Sequence, residues 1–137
     1  MPLTGGCLCG QIRYTISSDP VFVGICHCTN CQKQSGAAFS VNVGVRHDAL
    51  SLEGTLKTYT DHGDSGRDVL RRFCPNCGSP VITDAAAFPT IHIIKAGTLD
   101  NPNAVKPQRQ IFCASKHNWM PILDGIPAYD KGVPPAP

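Results

Sequence analysis

Seven of the chain's eight cysteines fall into three tight groups: Cys7/Cys9, Cys26/Cys28/Cys31 and Cys74/Cys77. Their spacings are C-x-C, C-x-C-x-x-C and C-x-x-C. Disulfides within a group are opposed by geometry, because Cys7 with Cys9, or Cys26 with Cys28, would close a small and strained ring. The opening residues Met1-Pro2-Leu3-Thr4-Gly5-Gly6 carry neither the basic nor the apolar region of a signal peptide. No apolar run approaches the roughly 20 residues of a membrane span. The expectation is a cytoplasmic protein with no membrane partner. There thiols stay reduced, and clustered cysteines serve metal binding or catalysis.

Two of the groups read as halves of one structural site. Zinc held by thiolates at about 2.3 Å sets neighbouring sulfurs about 3.8 Å apart, a separation that a C-x-x-C turn closed by glycine reaches. Cys74-Pro75-Asn76-Cys77-Gly78 has this form. Pro75 stiffens the turn, and Gly78 supplies the unusual φ angle that exits it. Cys7-Leu8-Cys9-Gly10 reads as an equivalent knuckle: a thiol pair, then glycine, then a strand. Together Cys7, Cys9, Cys74 and Cys77 complete a tetrahedral zinc site with no position left for substrate, so the site is assigned to folding. A redox dithiol at Cys74/Cys77 would suit a helix after the pair, and nothing helical is expected there.

Cys26, Cys28 and Cys31 offer three ligands, for a second zinc ion. The fourth position is either open, as in catalytic zinc sites, or closed by another side chain. Cys113, a histidine or an aspartate are the candidates for closing it. Cys113 lies in the apolar run Ile111-Phe112-Cys113-Ala114, which equally suits a plain core cysteine. His27, between two ligands, is expected to point away from them. His47, His62, His92 and His117 show no metal spacing. Trp119 either lines a pocket or simply packs.

A chain of 137 residues, 42% of them hydrophobic, is sufficient for one domain, taken here as residues 1–137. Only 16% are charged and the net charge is +2, with no Lys/Arg run. This argues against disorder, a coiled coil and a nucleic-acid partner. Strands are expected over residues 11–16, 21–25, 37–45, 50–54, 56–60, 80–83, 90–99 and 109–114, with 68–73 leading into the second knuckle. Residues 32–36 and the polar stretch 61–66 read as loops. The proline-rich tail from Gly125, with Pro127, Pro134, Pro135 and Pro137, is expected to be extended or frayed. Short strands with Gly/Pro punctuation give an all-β fold, a sandwich or folded sheet.

The motifs also resemble a known family. Gly5-Gly6-Cys7-Leu8-Cys9-Gly10, then Cys26-His27-Cys28-x-x-Cys31-x-x-x-Ser35-Gly36-Ala37, then Arg72-Phe73-Cys74-Pro75-Asn76-Cys77-Gly78-Ser79-Pro80 are similar to the glutathione-dependent formaldehyde-activating enzymes and their centromere protein V-like relatives. The resemblance runs from near the N-terminus to Ile111-Phe112 and Trp119. It implies an Mss4-like, mainly β fold of folded antiparallel sheets with zinc knuckles. It also implies structural zinc on Cys7, Cys9, Cys74 and Cys77, and catalytic zinc on Cys26, Cys28 and Cys31. The implied activity joins glutathione to formaldehyde as S-hydroxymethylglutathione, a carbon–sulfur lyase reaction in reverse.

An open thiolate-zinc site suits that chemistry, because a thiol brought to the metal ionises near neutral pH and attacks the carbonyl carbon. Ser35, His27 or a bound water are the candidates to serve the developing alkoxide. Lys33, Arg46, Arg67 and Arg71 are the candidates for glutathione carboxylates, or are plain surface charges. Three thiolates leave the site with excess negative charge, which weakens binding of a fourth. The alternative function is a non-catalytic zinc-bound β module that binds a protein or small thiol.

Overall fold

A computed structural model describes residues 2–121 and 123–134. Among the described residues there are ten strands: β1 (Leu3–Gly6), β2 (Arg13–Ile16), β3 (Phe22–Cys26), β4 (Ser40–Arg46), β5 (Leu50–Glu53), β6 (Lys57–His62), β7 (Asp68–Phe73), β8 (Pro80–Ala85), β9 (Ile91–Lys95) and β10 (Arg109–Ile111). One helix, α1 (Thr29–Ser35), lies between β3 and β4. The fold is mainly β, as expected. A three-stranded sheet has the order β1-β2-β5, and a seven-stranded sheet has the order β10-β3-β4-β9-β8-β7-β6.

Alternation along the strands decides what each face of the large sheet does. Val23 pairs with Val43, Val43 with Ile94, and Ile94 with Ile82, so these four share one face. They pack with Ile12, Tyr14 and Ile16 of the small-sheet region as the buried core. The neighbouring positions form rows on the opposite face. Gly24 pairs with Asn42 and Asn42 with Lys95. Gly44 pairs with Ile93, Ile93 with Thr83, and Thr83 with Arg71. Cys26, two residues beyond Gly24, stands on this second face.

The sheets are joined at two places. Tyr14 Oη lies 2.7 Å from Thr98 Oγ1, and Arg13 holds Asp100 with two hydrogen bonds of 2.9 and 2.5 Å. Gly5 sits where a side chain could not, since an added Cβ would lie 2.3 Å from Tyr14 Oη and 2.4 Å from Thr98 O. The other junction is the knuckle pair described below.

Four local expectations change. Residues 32–36 are not a loop: most belong to α1, which Cys28 caps at its start and Gly36, in the left-handed region at φ 69°, ends. Asp61 and His62 belong to β6, so the loop is shorter than expected. The last strand is only three residues, and it pairs parallel to β3, because the long intervening chain permits a crossover that a hairpin would not. The tail does not fray where it is described. Gln110 N donates to Pro127 O at 2.9 Å, and Tyr129 N donates to Gln110 O at 2.9 Å. The expectation for Pro135 and Pro137 falls outside the described residues.

Candidate functional site

All eight cysteines are free. The sulfurs of Cys7, Cys9, Cys74 and Cys77 lie within 4.8 Å of one another. Cys7 Sγ is 3.6 Å from Cys9 Sγ, which is 3.7 Å from Cys74 Sγ. These separations fit one tetrahedral ion held by thiolates, for which about 3.8 Å is expected. The two knuckles are built alike. Gly10 N donates to Cys7 O at 3.2 Å and Gly78 N donates to Cys74 O at 2.9 Å, and both glycines are left-handed, at φ 84° and 78°. Backbone amides point at the sulfurs: Ile12 N at Cys7 Sγ, 3.3 Å, and Cys77 N at Cys74 Sγ, 3.5 Å. Ser79 Oγ, 3.2 Å from Cys77 Sγ, and the Ser79 backbone lower the Cys77 thiol to about 5. The first knuckle follows β1 and the second links β7 to β8, so this cluster ties the small sheet to the large one.

Cys26, Cys28 and Cys31 also converge within 4.8 Å, with Cys26 and Cys31 sulfurs 3.4 Å apart. Cys26 ends β3. Cys28 is the N-cap of α1, its sulfur accepting the Cys31 amide at 3.2 Å, in a position usually held by Ser, Thr, Asp or Asn. One turn of helix then returns Cys31 to Cys26. Cys26 and Cys31 are buried, whereas Cys28 is half-exposed. Cys113 is not in this group; it opens a short 3-10 turn, Cys113–Ser115.

Two buried cations face the three sulfurs, and the sequence reading gave neither that role. Arg71, on β7, is 5% exposed and points Nη1 at Cys31 Sγ, 3.8 Å away. Its other nitrogens hold Asp61 Oδ2 at 3.2 and 3.1 Å. Lys95, on β9, is 7% exposed, and its Nζ donates to Asn42 Oδ1 at 3.1 Å. Among the described residues Lys95 forms no ion pair with a carboxylate. A buried ammonium is stable only with compensating negative charge nearby, and the sulfurs supply it. Burial pushes the Lys95 pKa down, against the pull of Cys31. Cys31 is pushed down chiefly by Cys26 and Cys28, with help from Lys95 and Ser40. The expected excess of negative charge is therefore offset from two sides.

His27 is 1% exposed, and its Nε2 lies 3.3 Å from Gln110 Oε1. Gln110 Nε2 donates to Leu123 O at 3.4 Å, so its oxygen must accept from His27. Ser35 Oγ donates to Gln32 O and accepts from Ala37 N, at 3.4 and 3.3 Å. Ser35 is engaged in holding the backbone, and His27 in holding the Gln110 side chain. Asn42 is placed differently. Its oxygen accepts from Lys95, so its amide nitrogen is the end left for a ligand.

Two depressions adjoin the three-cysteine site, one through Cys26 and the other through Arg71. An apolar cleft of about 520 Å³ includes Cys26, Asn42 and Gly24 in its lining. A polar hollow of about 330 Å³ is lined by Asn30, Lys33, Gln34, Tyr59, Asp61 and Arg71. Of the four predicted carboxylate partners, Lys33 and Arg71 line this hollow, whereas exposed Arg46 pairs with Asp48 and Arg67 lies on a loop. Trp119 is 71% exposed and packs edge-on to His117, lining neither depression.

The histidines hold one surprise. His47, Asp84 and His92 converge within 4.8 Å, although their sequence spacing gave no sign of it. His92 Nδ1 is 2.5 Å from Asp84 Oδ1. Two ligand atoms each about 2.0–2.2 Å from a shared ion would stand farther apart, so this is a hydrogen-bonded pair rather than a formed metal site.

Residues 2–115 match the family model described as glutathione-dependent formaldehyde-activating enzyme. The chain belongs to that family. The match covers all seven grouped cysteines together with Asn42, Arg71 and Lys95, and ends before Trp119. A structural-genomics crystal structure of a Rhodobacter sphaeroides protein is similar, with a TM-score of 0.59 and 17% identity, over 91% of this chain and 98% of that one. At that identity the likeness speaks for the fold alone. No curated protein matches the chain. Among the described residues no helix is long and apolar enough to cross a membrane.

Proposed function

We propose that this member of the glutathione-dependent formaldehyde-activating family is a cytoplasmic, zinc-dependent carbon–sulfur lyase. It acts on glutathione adducts of formaldehyde, as one zinc-binding domain over residues 1–137. Cys7, Cys9, Cys74 and Cys77 would hold a structural zinc ion, and Cys26, Cys28 and Cys31 a catalytic one. Zinc bound by these three cysteines would supply a Lewis-acidic centre with a position for an outside thiol and would lower that thiol's pKa.

The observation that carries the reading is the pair of buried cations, Arg71 and Lys95, set against three converging sulfurs beside two open depressions. Among the described residues the four-cysteine cluster has no Lys or Arg within hydrogen-bonding distance of its sulfurs, which take backbone amides from Ile12 and Cys77 instead, whereas Arg71 stands at that distance from the three-cysteine site. Here the cations offset the charge of the protein's own thiolates and favour an incoming anion. The polar hollow suits glutathione: Asp61 for its ammonium group, Lys33 and Arg71 for a carboxylate. Asn42, its orientation fixed by Lys95, presents an amide N–H to the carbonyl oxygen. In the reaction one S–C bond forms, the carbonyl π bond becomes a C–O single bond, and the thiol proton ends on the oxygen.

The test is the exchange rate between free formaldehyde and S-hydroxymethylglutathione, followed by NMR with increasing amounts of zinc-loaded protein. Exchange should rise in proportion to protein above the uncatalysed rate. Cys28→Ser should abolish the increase while one zinc ion per chain remains. Glutathione binding without any acceleration would sink the lyase assignment and leave a thiol-binding β module.

A further inference from the structure

Glutathione and formaldehyde do not account for the apolar cleft. Formaldehyde has one carbon, and glutathione is charged at both ends. The cleft encloses about 520 Å³, within the usual range for a small-molecule site. Phe22, Phe88, Ile93, Phe112 and Val133 line it, with Arg109 and Asn42 as the polar groups. The Arg109 guanidinium is engaged over the Phe22 ring, 4.6 Å from its centre. Phe88 and Val133 are 50% and 44% exposed, so apolar side chains frame the mouth.

Gly24 is part of the cleft's lining. A glycine in the middle of a central strand weakens the sheet and commonly marks a place where something else must approach. Gly24 has strands on both sides, paired with Asn42 of β4 and Arg109 of β10. Nothing in its backbone calls for glycine, since it is not among the positive-φ residues. A Cβ added there would meet Arg109 Cγ at 3.5 Å, an ordinary contact, so steric crowding does not require glycine either. Gly44 is the opposite case: an added Cβ would lie 2.3 Å from the Phe22 ring. What glycine leaves at position 24 is a stretch of cleft lining with no side chain, bounded on one side by Arg109. Cys26 is two residues along the same face, about 7 Å away at roughly 3.3 Å per residue.

We infer that the carbonyl substrate carries an apolar substituent, aromatic or branched aliphatic, which lies over Gly24 while its carbonyl carbon faces the three-cysteine site. This rests on the lyase reading and names its substrate class. The adduct is then the hemithioacetal of a larger aldehyde: the thiol sulfur bonds to the aldehyde carbon, the carbonyl π bond becomes a C–O single bond, and the thiol proton ends on the oxygen. No electrons are gained or lost. Asn42 lies beside Gly24 in the same row and serves the oxygen of either aldehyde.

Zinc-loaded protein is given glutathione with formaldehyde, 3-methylbutanal or phenylacetaldehyde, and each rate is divided by its uncatalysed rate. The two larger aldehydes should be accelerated more than formaldehyde by at least about 10-fold, the scale at which apolar pockets discriminate. Gly24→Val, which narrows the cleft, and Val133→Asp, which charges the exposed rim, should each lower the ratio of phenylacetaldehyde to formaldehyde acceleration by about 10-fold. A second arm needs no turnover: 2-phenylethanol, the unreactive alcohol of the same shape, should give NMR contacts between its ring and Phe22 and Ile93 that Gly24→Val removes. Acceleration of formaldehyde alone, with no such contacts, overturns the inference and leaves the lyase reading intact. Failure to accelerate any aldehyde overturns the lyase reading. The alcohol arm then decides the cleft by itself: contacts at Phe22 support it as an apolar binding site and their absence overturns it.

Discussion

At the scale of single residues, the site is a balance of charge. Lys95→Met keeps the length of the side chain and removes its ammonium. Without it the sulfurs of Cys26, Cys28 and Cys31 lose a buried cation that, among the described residues, is not already paired to a carboxylate. Metal affinity at that cluster should fall by about 10–100-fold, the usual effect of losing a group that supports ligands. The four-cysteine cluster should hold its ion unchanged. Competition with a chelator, read on both proteins, separates the two. Equal losses at both clusters would mean that Lys95 acts on the fold and not on the site. The cysteines were readable because ligand spacing is a local property, set by neighbours two and three positions apart. Lys95 and Arg71 were not. They stand far from Cys26, Cys28 and Cys31 in sequence, and only strand register places both on the sulfur-bearing face.

At the scale of elements, β structure was legible and α1 was not. Strands such as β4 announce themselves through Val41, Val43 and Val45 at alternate positions. The helix has seven residues and a single buried one, Cys31, so it shows no apolar stripe. Its signals are its ends: a thiol in place of a capping hydroxyl, and Gly36 in the left-handed region. An added Cβ at Gly36 would meet nothing within 4 Å, so a substitution there acts through conformation alone. Gly36→Val should destabilise the protein by about 1–2 kcal/mol, the cost of a left-handed residue with a side chain, measured by urea unfolding. Because the same turn carries Cys31 to Cys26, metal at the three-cysteine cluster should also be released more easily.

At the scale of the whole molecule, the two sheets depend on the knuckles and on the Arg13–Asp100 pair. Cys74→Ser should expose β1, β2 and β5 to hydrogen exchange, whereas Cys28→Ser should leave them protected. Similar exposure in both variants would contradict the division of labour between clusters. Asp100 is held down to about 2, chiefly by its hydrogen bonds from Arg13 and Thr4. The unfolded carboxyl titrates near about 3.9, so the folded pKa is the lower one. The stabilisation is therefore complete above that value and is lost as pH falls through 2. Asp100→Asn should be less resistant to urea than the parent protein at pH 7, with the difference shrinking towards pH 2. The parallel pairing of β10 with β3 has a further consequence, for synthesis on the ribosome. Phe22, Gly24 and Cys26 emerge early, but their neighbours Ile111, Phe112 and Val133 are translated much later. Until then the nascent chain shows an unfinished apolar edge, and a chaperone that shields such edges would find its client there.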